Sequence, residues 1–348
     1  LNEYLHNTIT GESRQARRAS SPVVDPASIC QDGLRTDEQR KRNGEQRTTG
    51  GHSMSKDAKG ISVYLTLSFG LAWLMWVPMV LVGVDPNAPV FQALLLPGGF
   101  APAIAAILVR KFVTREGFAD AGLKPNFRHW RLYLFGWLWT VPVVALIILL
   151  AYVFDLGRPD FTAASFLQSR APGKEIPATA QAVVTYVMPL QGAILSLIAT
   201  FVLWGEEFGW RSYLQPRLFA RRPLAGAIVT GLIWGVWHFP LVLLGYQYPQ
   251  HPLWGLAVFP ISTVLISIVF GWLRSASDSI WPVCLAHASF NSLGGSWLVL
   301  WFTGRADILW VGILGVLGWI PLGALAVWIV CTGRLKPLKE NGATEAAP

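Results

Sequence analysis

Two adjacent glutamates, Glu206 and Glu207, and an arginine four residues on, Arg211, follow thirty residues, Ile176 to Gly205, that carry no formal charge. Charge beside such a run is costly unless it is paired or serves a wet cavity. Glu207 and Arg211 stand at i,i+4 spacing, so on a helix they share a face and can pair. Glu206 then points about 100° away and is free for other work. Downstream, His238 follows Trp234 by four in WGVWHFP, and His287 and Asn291 are four apart in LAHASFNS. One carboxylate with its own counter-ion, one without, two histidines and a carboxamide can together deprotonate a water and stabilise an oxyanion. Glu206, His238 and His287 could also supply a zinc ion with a His2Glu set and a water as fourth ligand.

Each residue alone has a plainer reading. A Glu-Glu pair after a span also serves as an interfacial cap, and an arginine there satisfies the positive-inside bias. A histidine in a membrane helix also serves as a packing donor to a neighbouring carbonyl. The combination is what points to chemistry. His129, in a basic loop, and His251, in a polar break, are set aside as surface histidines. The chain has no HExxH, so two zinc-binding histidines on one helix are excluded.

The elements that must carry these residues are apolar. The 348 residues are 53% hydrophobic and 14% charged, against the quarter charged of a soluble domain. Uncharged runs at Ile61–Val84, Ala88–Val109, Leu132–Phe154, within Ile176–Gly205, Ser279–Gly304 and Ile308–Gly333 are each long enough to cross a bilayer. Pro223–Leu273 is uncharged too, but it is too long for one span and breaks at Tyr246–Pro252, so it counts as two. The expected fold class is therefore all-α, a polytopic membrane protein of about eight transmembrane helices. With the N-terminus inside, fourteen Lys/Arg fall on inside segments and Arg158, Arg170, Lys174 and Arg305 outside, which favours N-in and C-in. Trp73, Trp76, Trp137, Trp139 and Trp301 are expected in interfacial belts.

The net charge of +8 follows this loop bias and forms no basic patch with a stacking platform, so nucleic acid is not an expected partner. Cys30, Cys284 and Cys331 lie far apart without a CxxC, which gives no disulfide framework. No Gly-rich phosphate loop suggests a soluble cofactor, and nothing sets an oligomeric state. Residues 1–59 hold ten Lys/Arg and eight Asp/Glu with almost no apolar periodicity, and are expected to be a disordered extension. The first methionine is Met54, so the functional protein is expected to start near it. The membrane domain is expected over 60–333, with its catalytic core at about 180–300, and a cytoplasmic tail over 334–348.

The turn Phe219–Pro223 makes the fourth and fifth spans an antiparallel hairpin. Glu206 and His238 are each sixteen residues from Arg222, so regular helices bring them to similar depth, with His287 and Asn291 entering from the seventh span. A fourth helix ending at Gly205 leaves the glutamates at the interface. One running on to about Leu214 puts them well inside, and a cluster with the histidines needs this second case.

Glu206-Glu207-x-x-x-Arg211, Trp234-x-x-x-His238 and His287-x-x-x-Asn291, in this order on successive spans, resemble the EExxxR, FxxxH and HxxxN motifs of the CAAX prenyl protease and bacteriocin-processing family (CPBP, or Abi) of intramembrane endopeptidases. By motif the resemblance covers roughly residues 180–300, and by architecture 60–333. It implies a hydrolase of a multi-pass protein, expected in a bacterial cell membrane. Its partners would be the lipid bilayer and a peptide or lipidated-protein substrate, prenylated and CAAX-like or bacteriocin-related. It implies Glu206 as general base helped by His238, Glu207 with Arg211 as the structural pair, and His287 and Asn291 as the groups that bind the water and stabilise the oxyanion. Trp234 departs from the family's phenylalanine, and is expected to widen the wall without loss of chemistry. A metal-free glutamate mechanism is favoured over zinc because Asn291 suits an oxyanion donor. Two other functions compete: a non-proteolytic immunity or scaffold protein, and a proton-coupled transporter using Glu206, His238 and His287 as a relay, for which no repeat is visible.

Overall fold

The computed structural model describes residues 57–338, and every regular element among them is helical. Eight apolar helices of ten or more residues appear among these residues: α1 Asp57–Val82, α2 Pro89–Thr114, α3 Phe127–Val153, α4 Ala178–Leu218, α5 Pro223–Trp237, α6 Pro252–Ser277, α7 Trp281–Phe302 and α8 Trp319–Cys331. Six are long and apolar enough to cross a membrane, and α5 and α8 are shorter. The protein is a multi-pass membrane protein, as the uncharged runs indicate. The polar head before Asp57, with Cys30 and Met54, and the tail after residue 338 lie outside the described residues.

Two of the eight are short for a physical reason. After α5 the backbone leaves helical geometry at His238, and a second short helix, Phe239–Leu243, carries the path onward. Pro240 has no N–H to give to the preceding turn, so the break falls there. Before α8 the turn Ile308–Val311 is followed by an irregular stretch rich in glycine. Irregular backbone at membrane depth must find polar partners inside the protein. Here Tyr248 and Ser262 both donate to the Leu314 carbonyl, at 2.7 and 2.6 Å.

The fourth helix is one continuous rod from Ala178 to Leu218, far past Gly205. Glu206 therefore sits inside a helix, about 18 Å before its end at a 1.5 Å rise per residue. Two prolines shape it. A π-turn at Val183–Val187 precedes Pro189, and another at Trp210–Leu214 precedes Pro216. Pro216 cannot donate to the Ser212 carbonyl one turn back, and Arg110 takes that carbonyl instead at 3.0 Å.

Arg110 is fully buried, and it anchors a clasp at the basic end of the bundle. Its two terminal nitrogens bind both Asp120 oxygens at 2.8 and 2.9 Å, and one also reaches the Gly117 carbonyl. Arg217 adds Glu116 at 2.7 Å, Arg274 donates to the Asp120 carbonyl, and Ser212 donates to the Ala121 carbonyl. The clasp thus ties the loop after α2 to α4 just beyond the glutamates. Burial works against the Asp120 carboxylate, but its hydrogen bonds from Arg110 outweigh that and keep its pKa below the ordinary value.

Small residues set the close crossings. A Cβ on Gly205 would lie 2.9 Å from the Phe100 ring, and one on Gly209 would lie 2.7 Å from the Pro102 backbone. These glycines flank the glutamate pair, so the Ala101–Leu108 half of α2 packs directly against it. The Pro89–Gly99 half touches α4 far less. Gly231 of α5 lets α6 approach until Thr263 donates to its carbonyl at 2.9 Å.

The tryptophans depart from the belt expectation. Trp76 and Trp139 are 1% and 3% exposed. Trp73, Trp76, Trp137 and Trp139 each donate an indole N–H to a backbone carbonyl on another helix or segment. A large apolar ring with one donor suits an interhelical tie as well as an interface, and composition does not separate the two uses.

Candidate active site

Glu206, Glu207 and Arg211 come from α4, His238 from the break after α5, and His287 and Asn291 from α7. Glu207 and Arg211 pair as their spacing predicts, with Nε to Oε2 at 3.3 Å and both side chains fully buried. The guanidinium also lies over the rings of Trp234 and Phe270, 4.6 and 5.1 Å from their centroids. Cation–π contact helps offset the cost of burying that charge.

Glu207 has a second partner that spacing did not reveal. Its Oε1 lies 2.8 Å from His287 Nδ1. A carboxylate accepts, so Nδ1 carries the proton and the ring presents Nε2 on its other edge. His238 is oriented in the same way, with Nδ1 donating to the Trp234 carbonyl at 2.9 Å. Both histidines are buried at their ring bodies and line one cavity.

Glu206 is half-buried and faces that cavity. It does not hydrogen-bond His238. The Trp234 indole N–H donates to Glu206 Oε2 at 2.8 Å, and the two groups expected to meet are linked through this tryptophan. Asn291 is exposed to the same cavity from a π-turn, Phe290–Gly295, in the middle of α7. Such turns recur at functional positions because they re-aim side chains within a helix.

The cavity holds about 770 Å³. It is lined by the candidate site residues and by apolar side chains such as Trp76, Phe100 and Phe259. Leu96 of α2 and Leu195 of α4 line it and are 49% and 45% exposed. None of these apolar walls carries a pattern that separates it from any other lipid-facing residue in the sequence.

Known proteins resemble this chain over the stretch that carries the site residues. A family model described as Rce1-like, type II CAAX prenyl endopeptidase, matches residues 188–293, a window that contains every candidate site residue. CAAX prenyl protease 2 of Methanococcus maripaludis is 28% identical over 220 residues, which cover 61% of this chain and 74% of the relative. Over these residues the chain is similar to the type II CAAX prenyl endopeptidases. The protease is thus an enzyme of the membrane, and its peptide substrate must reach a site enclosed by helices.

The metal expectation meets a geometric limit. Among the described residues no three His, Cys, Asp or Glu side chains converge as a metal-binding group. Glu206, His238 and His287 in particular do not form one, and Glu206 spends one oxygen on Trp234. The donor set does not fit zinc as it stands. His251, set aside as a surface residue, bonds Asp307 at 2.6 Å between two loops and takes no part in the site. Cys284 is buried, Cys331 is exposed, and neither is disulfide-bonded.

Proposed function

We propose that the protease hydrolyses a lipidated, CAAX-like peptide with a water activated by Glu206. The observation that carries this reading is an unpaired oxygen, Oε1 of Glu206, facing a cavity shared with His238, His287 and Asn291. Glu207 is committed to Arg211 and His287 and cannot serve as the base.

In the reaction, Glu206 Oε1 takes a proton from water as the oxygen attacks the scissile carbonyl, and His238 Nε2 accepts the water's second hydrogen bond. The carbonyl oxygen gains negative charge. The Asn291 amide donates to it, and His287, oriented by Glu207, lines the same cavity. Glu206 then passes its proton to the leaving amine as the C–N bond breaks. No metal is required in this sequence.

The lipid of the substrate explains the rest of the cavity. An apolar chain of a lipidated peptide would lie along the apolar side chains while the peptide meets the candidate site residues. Burial of each CH2 contributes about 0.8 kcal/mol, so a prenyl group would contribute several kcal/mol to binding. The test is cleavage of one CAAX-type peptide with and without its prenyl group, followed by mass spectrometry. The expected result is a kcat/KM at least about a hundredfold higher for the prenylated form. Equal rates would reject lipid recognition.

A further inference from the structure

We infer that Trp234 is a positioning residue for Glu206, so that the tryptophan standing where the family has phenylalanine changes the enzyme's kcat. This inference rests on Glu206 being the base. The starting point is an imbalance: two adjacent carboxylates and one buried arginine. Arg211 pairs with Glu207. If Glu206 also turned to it, its charge would be neutralised and its lone pairs would leave the cavity.

The indole of Trp234 prevents this with two different edges. Its π face lies under the Arg211 guanidinium, 4.6 Å from the ring centroid. Its N–H points the other way and donates to Glu206 Oε2 at 2.8 Å. The ring is 3% exposed and is wedged edge-on against both His238 and His287, so it has little room to swing. An indole nitrogen donates and never accepts, and it does not titrate. It therefore fixes one carboxylate oxygen without competing for the proton that the other must take. A glutamate side chain loses rotamer freedom when it is ordered, and this contact orders it before substrate arrives. Phenylalanine would keep an aromatic face under Arg211 and lose the donor together with part of the ring's volume.

The experiment compares full-length wild type, Trp234→Phe and Glu206→Ala, purified in detergent, on a peptide that the wild type cleaves. A hydrogen bond to a charged group is worth a factor of about ten or more. Trp234→Phe should lower kcat by about tenfold or more, leave KM within about twofold, and leave the melting temperature near that of the wild type. Ultraviolet resonance Raman gives a second readout that needs no folded Trp234 variant. The band that reports indole N–H hydrogen bonding should lose one strongly bonded tryptophan in Glu206→Ala. Wild-type kcat in a folded Trp234→Phe while Glu206→Ala is inactive would overturn this inference and leave the glutamate mechanism standing. An unchanged indole band in Glu206→Ala would overturn it as well. Full activity in Glu206→Ala would instead reject the glutamate mechanism, and this inference with it.

Discussion

Arg211 illustrates how a buried charge constrains its neighbours. It has no water-exposed surface to speak of, one carboxylate partner and two aromatic faces. Removing one member of such a pair strands the other charge, which typically costs about 3–5 kcal/mol. Arg211→Met should therefore lower stability by that order in thermal unfolding, and adding Glu207→Gln should recover part of it. A single variant as stable as the wild type would mean that the pair holds nothing. The i,i+4 spacing made this contact readable in advance. The bond from Glu207 to His287 was not readable, because it joins residues eighty apart, and nothing local to either one encodes the meeting of α4 with α7. Glu206 was readable as the free carboxylate by the helical angle alone. Its tie to Trp234 was not, since an aromatic in a motif reads as bulk until its donor is seen to have an acceptor.

At the scale of elements, the loops work as fasteners at both ends of the bundle. Opposite the Arg110 clasp, Asp160 accepts from the backbone N–H groups of Thr162 and Ser165 and holds the short helix Ala164–Arg170, whose Phe166 reaches the cavity. Burial of this carboxylate would raise its pKa, but the donors from Thr162 and Ser165 outweigh it and hold it at about 2. An unfolded aspartate titrates near about 3.9, so the charged form stabilises the fold by about 2 kcal/mol. With the folded value depressed, that contribution is complete above about pH 5 and is lost as pH falls towards 2. Asp160→Ala should accordingly cost about 2 kcal/mol at pH 7 and about half of that at pH 3, measured by denaturation in detergent. A pH-independent difference would show that the carboxylate's charge is not what holds this helix. The eight apolar helices were legible from uncharged runs, though six of them are long enough to cross, and the long α4 was the correct one of two readings. The π-turns were hidden, although Pro189 and Pro216 mark where the regular ladder had to give way.

Over the whole molecule, α1, α2, α4, α5, α6 and α7 all contribute to a cavity that joins the candidate site residues to apolar side chains. The class of protein was legible from charge content, and the likeness to CAAX endopeptidases from three short motifs. The cavity's shape was not, because lipid-facing and cavity-facing leucines read alike in a chain that is 53% hydrophobic. The metal question also belongs to this scale, since it depends on how three helices converge. Here they bring Glu206 to Trp234 and leave its second oxygen free. The most direct test of the account is turnover of a quenched fluorescent prenylated peptide by wild type and Glu206→Gln, each with and without a chelator. The account predicts cleavage by the wild type that the chelator does not touch, and a loss of at least about a thousandfold in the variant with its melting temperature unchanged. A chelator-sensitive wild type, or a Glu206→Gln protein that still cleaves, would contradict it.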